Sequence, residues 1–128
     1  MVDAGLVVLI WLVQLIIYPS FAKIDQALFI DWHRSYTMNI TLVVAPLMFA
    51  QLGLAIYEIW ETPGLLAWIR LVLIGSVWAL TFFWAVPVHN SLDVEGNTSV
   101  LVNELVRANW PRTIVWSGIF LLGFLRLR

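Results

Sequence analysis

Four stretches of the chain contain no Asp, Glu, Lys or Arg: Ala4 to Ala22, Ser35 to Tyr57, Leu71 to Leu92 and Thr113 to Leu125. A helix rises ~1.5 Å per residue and a hydrocarbon core is ~30 Å thick, so about 20 apolar residues span it. Two of the stretches exceed that length, one meets it and the last is short. Segments such as Leu42–Ala50 and Leu71–Ala79 have almost no polar face, and a soluble amphipathic helix would need one. The pattern predicts an all-α, single-domain integral membrane four-helix bundle covering residues 1–128.

The polar punctuation sets the expected boundaries. Helices are predicted at about 4–21, 32–60, 65–87 and 111–127, with interfacial segments at about 23–31 and 99–108. Asp3 and Asp31 are placed to cap the first two helices. Pro46 falls inside the second and should bend it. Glu61-Thr62-Pro63-Gly64 reads as a tight turn, and the Asn-, Ser-, Asp-, Glu- and Gly-rich stretch from His89 to Ser99 as a surface loop. Pro111 suits the first residue of the last helix, where its missing N–H is not needed.

Composition sharpens this reading. The chain is 62 % hydrophobic with a mean hydropathy of +0.91, and 12 % of its residues are charged, against about 25 % in a soluble domain. A net charge of -1 gives no reason to expect nucleic acid. With no cysteine, disulfides, thiolate catalysis and cysteine-ligated metals are excluded. The first helix lacks a basic flank and a small-residue cleavage site, so it reads as retained rather than as a signal peptide. Of the eight tryptophans, Trp32, Trp60, Trp68, Trp84 and Trp110 fall near predicted helix ends, where indoles favour the headgroup layer. Trp11, Trp78 and Trp116 lie deeper, as packing residues or as part of a ligand pocket.

Four spans put both termini on one side. The opposite side then collects Tyr18, His33, Arg34, Tyr36, Asn39, His89, Asn90, Asn103, Arg107, Asn109, Arg112 and Thr113, including both histidines of the chain. The termini side receives only Glu58, Glu61, Arg70, Arg126 and Arg128 near the membrane. The positive-inside count is slightly against a cytoplasmic termini side, with Arg70, Arg126 and Arg128 there and Lys23, Arg34, Arg107 and Arg112 opposite. Because Arg34, Arg107 and Arg112 are poor topology signals if they serve a site, the termini are placed on the cytoplasmic side.

His33, His89 and Arg112 are the candidate catalytic residues, and Gln14, Tyr18, Tyr36, Asn39, Asn90 and Asn109 the candidate ligand-binding ones. Ionisable groups at membrane depth are expensive to bury and therefore point to function. His33 and His89 come from neighbouring antiparallel helices at similar depth, so they are candidate ligands of a b-type haem or a metal ion. Against this stands the interfacial reading, in which they bond headgroups or backbone. Arg107 and Arg112 suit an anion or a quinone-like oxygen, or else snorkel or pair with Glu104. Asp93 and Glu95 are expected to face solvent. No nucleophile–base pair, glycine-rich phosphate loop or carboxylate dyad is present.

Val86-Pro87-Val88-His89-Asn90-Ser91-Leu92, together with Asn109-Trp110-Pro111-Arg112-Thr113, resembles the end of the third helix and the opening of the fourth in the DUF1772 family of small four-helix membrane proteins. That family includes the fungal anthrone oxygenases. The resemblance covers the C-terminal half in pattern and the whole chain in span number, with Asn90 and Arg112 matching the family's asparagine and arginine. The Trp32-His33-Arg34-Ser35-Tyr36 segment and Pro46 are not matched. The resemblance implies a small membrane protein that binds a cofactor or hydrophobic ligand in an oxygenase- or redox-like role. The alternative is a structural or accessory subunit of a larger membrane complex, or a homo-oligomer, whose deep aromatic residues pack on partners.

Overall fold

The computed structural model describes the backbone of residues 1–126 and the side chains of residues 1–123. Leu127, Arg128 and the Arg126 side chain, all invoked from the sequence, lie outside the described residues. Four helices follow one another: α1 (Val2–Lys23), α2 (Gln26–Glu61), α3 (Leu65–Glu95) and α4 (Ser99–Arg126), with no strand among the described residues. The first three are long and apolar enough to cross a membrane. The fourth is long enough, but it carries Asn103, Glu104, Arg107, Asn109 and Arg112 in its first half.

Three of the predicted boundaries move, each for a local reason. The segment predicted as interfacial before the second helix belongs to α2 itself. Asp25, not Asp31, is the cap, its carboxylate accepting from the Ala27 N–H at 2.8 Å. No glycine or proline interrupts residues 26–31, so the helix runs on. The predicted loop after His89 is also helix. Its polar residues continue α3 to Glu95, and the stop is Gly96, whose φ of 77° suits glycine. Finally, 99–108 and the predicted last helix form the single helix α4, with Pro111 in its interior. Nearby side chains supply bonds around this proline. Gln14 Nε2 donates to the Val106 carbonyl at 3.3 Å, and Thr113 Oγ1 donates to the Asn109 carbonyl at 3.0 Å. Pro46 likewise lies inside α2.

Contacts at both ends fix an up-down-up-down order. At one end Arg70 near the start of α3 pairs with Asp3 of α1 (2.8 Å) and Glu58 of α2 (2.6 Å). Asp3 is therefore an ion-pair partner and not the cap predicted; the cap position is Met1. At the other end Tyr18, His33 and His89 meet. Trp11 donates to Ser117 Oγ at 3.1 Å and Asn109 donates to Gln14 at 2.9 Å, which sets α1 antiparallel to α4.

Two apolar clusters form the interior. Leu6, Ile10, Met48, Ile74, Val77, Trp116 and Ile119 fill the Arg70 end. Val13, Phe21, Phe29, Val88, Leu92, Val102 and Leu105 fill the histidine end. Along α4 a buried polar layer of Asn109, Arg112 and Thr113 divides them. Outward faces are apolar too, with Leu42, Phe49, Val72 and Phe83 exposed, as suits lipid contact and not water.

Candidate functional site

Two π-helical segments aim the site residues. Val13–Ile17 in α1 is followed by Tyr18, and Thr81–Ala85 in α3 is followed one turn later by His89. Each has a proline two residues beyond its end, Pro19 and Pro87. A proline ring crowds the carbonyl four residues earlier. Here those carbonyls belong to Leu15 and Phe83, the middle residue of each widened turn. Proline alone is not sufficient, since Pro46 and Pro111 have no such segment before them.

The polar residues at this end form a continuous hydrogen-bonded row. Tyr18 Oη meets His89 Nε2 at 3.0 Å. His89 Nδ1 meets His33 Nε2 at 2.9 Å, and His33 Nδ1 meets Asp93 Oδ1 at 2.7 Å. His33 is fully buried, whereas the Asp93 side chain is 27 % exposed. The row thus leads from the interior to the surface. Aromatic packing holds its members. Phe21, itself fully buried, touches Tyr18, Phe29, Trp32, His33 and Tyr36 at 5.2–5.8 Å between ring centroids. His33 stacks on Phe29, and its ring lies edge to edge with His89, 23° from coplanar. Arg34 donates to the Asp93 carbonyl at 3.3 Å, and Asn97 donates to the carbonyls of Phe21 and Ile24 at 2.8 Å each. These bonds tie the two loops of this end together.

Arg112 occupies a different setting. It is buried, with Nη1 donating to Asn109 Oδ1 at 3.2 Å and the guanidinium 5.4 Å from the Trp116 ring centroid. No carboxylate pairs with it among the described residues, and its buried Nε has no partner. A cavity of about 380 Å³ lies beside it, within the ~300–1,000 Å³ usual for small-molecule sites. Tyr18, Tyr36, His89, Asn90, Asp93 and Arg112 supply its polar lining; Met48, Phe49, Trp78, Phe82 and Trp116 are among its apolar walls. Trp78 Nε1 is a second buried donor without an acceptor. Arg112 and Trp78 both line the cavity, and each keeps one N–H buried in the wall without a partner.

The cavity opens sideways. Helix α2 packs on α3 before and after the Thr81–Ala85 segment but hardly touches the segment itself. Phe49 and Phe82 stand exposed at this gap. A ligand would enter from the flank of the bundle.

The residues singled out in the sequence divide into groups. Tyr18, Tyr36, His89, Asn90 and Arg112 line the cavity. His33 sits behind His89 in the row. Gln14 and Asn109 are buried against each other and support Arg112 from behind. Asn39 is not brought in; it borders a shallow groove with Trp32 on the outside of α2. Sequence reasoning missed Phe21 and assigned Asp93 to solvent, whereas Trp78, offered as packing or pocket, does line the cavity. Asp93 lies four residues after His89, one helical turn on, so the spacing was a usable signal once the helix is known to continue.

The two histidines do not fit the predicted haem or metal site. Axial ligands on opposite faces of one iron stand about 4 Å apart at ~2.0 Å per bond, and these facing nitrogens are 2.9 Å apart and bonded to each other. All four ring nitrogens are engaged with protein groups. No group of three or more His, Cys, Asp or Glu is positioned for a metal among the described residues. No protein-family model, curated protein or solved structure matches the chain.

Proposed function

We propose that this is an integral membrane protein that binds a lipid-soluble, oxygen-bearing aromatic molecule between its helices, in an oxygenase- or redox-like role. The observation that carries this reading is Arg112, a buried cation without a carboxylate beside an apolar cavity. A buried charge without a counter-ion is costly, and an anionic or strongly accepting ligand oxygen would remove that cost. Asn90 and Tyr36 add polar groups to the same cavity lining, and the Trp78 ring adds apolar wall. The cation–π contact with Trp116 and the bond from Asn109 hold the guanidinium in place.

The kinship to the DUF1772 family belongs to this proposal. Its support is that Asn90 and Arg112, the two residues on which the likeness rests, line one cavity. The accessory-subunit alternative is less well supported, because His89 and Arg112 converge on a cavity within one chain and not on an outer face. The proposal also places four spans across the bilayer with both termini cytoplasmic. Arg112 then drops out of the positive-inside count as a site residue.

Quenching of tryptophan fluorescence in detergent tests the binding claim, with 2-hydroxy-1,4-naphthoquinone compared against naphthalene. The oxygenated ring should bind at least ~10-fold more tightly, about 1.4 kcal/mol. Arg112→Gln should erase the difference while leaving naphthalene unchanged. Equal binding of both rings by the wild-type protein would refute an oxygen-recognising site.

A further inference from the structure

We propose that Tyr18, His89, His33 and Asp93 are a proton relay, with Tyr18 taking a proton from a ligand hydroxyl in the cavity and Asp93 delivering it to water. This rests on the ligand-binding reading above and adds to it the acidic class of ligand and the route its proton takes.

With Asp93 ionised and both imidazoles neutral, the hydrogen-bond inventory of these four side chains sets the direction of every bond. An ionised carboxylate only accepts, and a neutral imidazole donates through one nitrogen and accepts through the other. Asp93 Oδ1 therefore accepts from His33 Nδ1–H. His33 Nε2 is left as an acceptor and takes its bond from His89 Nδ1–H. His89 Nε2 in turn accepts from the Tyr18 hydroxyl. Each donor is spent on the next member; the Tyr18 oxygen also accepts from the Arg112 guanidinium, which leaves one lone pair for the cavity that it lines. At the far end of the row Asp93 is 27 % exposed and borders the outer part of the same cavity, from which its proton is released.

One concerted shift moves the proton. The ligand O–H proton passes to Tyr18 Oη as the Tyr18 proton passes to His89 Nε2. The His89 Nδ1 proton passes to His33 Nε2, and the His33 Nδ1 proton to Asp93. The ligand becomes an oxyanion, Asp93 becomes a carboxylic acid, and both imidazoles change tautomer without becoming charged. That neutrality matters, because His33 is fully buried and a charged ring there would be expensive. The new oxyanion lies beside Arg112, a buried guanidinium with no carboxylate partner among the described residues. The other charged or titratable groups here are spent elsewhere or are neutral. Arg34 bonds the Asp93 carbonyl, and Tyr36 packs on Phe21 and Trp32. The ligand class that follows is a lipid-soluble phenol or hydroquinone, bound as its anion.

Two readouts test this. With only two histidines in the chain, the nitrogen NMR spectrum of histidine-labelled, ligand-free protein reports the relay directly. Both rings should be neutral and carry their proton on Nδ1. A proton on Nε2, or an imidazolium at neutral pH, would overturn the relay whether or not any ligand binds. The second readout uses 1-naphthol with a pH indicator in weak buffer. The wild-type protein should take up naphtholate and release a proton for each molecule bound. Asp93→Asn keeps a carbonyl acceptor for His33 but cannot accept a proton, and Tyr18→Phe removes the first acceptor. Both variants should bind neutral naphthol and release nothing. Undiminished proton release by both would overturn the relay. No naphthol uptake by the wild-type protein would overturn the ligand reading, and with it the relay's use.

Discussion

At the scale of single residues, Arg112 is held by neutral neighbours instead of a carboxylate, and that choice keeps its charge available. Asn109 is the pivot. Its amide donates to Gln14 Oε1 at 2.9 Å while its carbonyl oxygen accepts from Arg112. Thr113 Oγ1 lies 3.3 Å from Gln14 Oε1, a second acceptor for the one O–H that it also directs at the Asn109 carbonyl. Interhelical bonds of this kind contribute about 0.6–1.7 kcal/mol each in a membrane. Removing one partner is worse than removing both, because a buried polar group is left alone. Asn109→Leu and Gln14→Leu should therefore each lower stability by about 1–3 kcal/mol, and the double variant should cost less than the sum. Thermal unfolding in detergent, read as a double-mutant cycle, checks this. Strict additivity would mean that the two amides do not share one network. Asn109→Leu should also weaken hydroxynaphthoquinone binding, since Arg112 loses the acceptor that positions it.

At the scale of elements, the two π-helical segments explain how ordinary apolar helices come to present a site. A widened turn carries one residue more than an α-turn, so everything beyond it is rotated relative to everything before it. That rotation lets α3 pack Ile74 and Val77 into one cluster, Val88 and Leu92 into the other, and still turn His89 towards His33. Deleting Phe83, whose side chain is 85 % exposed, should restore a regular helix in phase on both sides. Helicity by circular dichroism should be unchanged, while binding of 2-hydroxy-1,4-naphthoquinone should fall at least ~10-fold, about 1.4 kcal/mol, as α3 closes on α2. Unchanged binding would show that the gap at Thr81–Ala85 is not the entrance. None of this could be read from the sequence, because Pro19 and Pro87 look the same there as Pro46 and Pro111. The number of helices and the gathering of Tyr18, His33, His89 and Arg112 at one end were legible, since both follow from span count and tolerate boundary errors. Asp93 was not. Polar residues after a long apolar run read as loop, yet Asn90, Asp93 and Glu95 are polar because α3 has left its apolar zone while still helical. The same ambiguity hid the start of α2, where Asp25 and Asp31 are equally good caps by residue type, and only the Asp25–Ala27 bond decides between them.

At the scale of the whole molecule the two ends are chemically unlike. At the Arg70 end, charges cancel in place among Asp3, Glu58 and Arg70, and Gln51 donates to Asp3 at 2.6 Å. Polar contacts continue inward from there, since Trp116 Nε1 donates to Gln51 Oε1 at 3.1 Å and the Trp116 ring lies under Arg112. An indole N–H donates but cannot accept, so a proton cannot pass along this row of contacts at Trp116. The α2–α3 turn at Glu61 and the end of α3 at Glu95 are opposite ends of the bundle, and both residues are exposed. Because the chain has no cysteine, Glu61→Cys and Glu95→Cys each introduce a single label site. In sealed vesicles with the outer face outward, a membrane-impermeant maleimide should label Glu95→Cys at once and Glu61→Cys only after lysis. The reverse order would invert the orientation and place Asp93 in contact with the cytoplasm. Labelling of both before lysis would mean that the bundle does not cross the membrane, and the flank opening between α2 and α3 would then face something other than lipid.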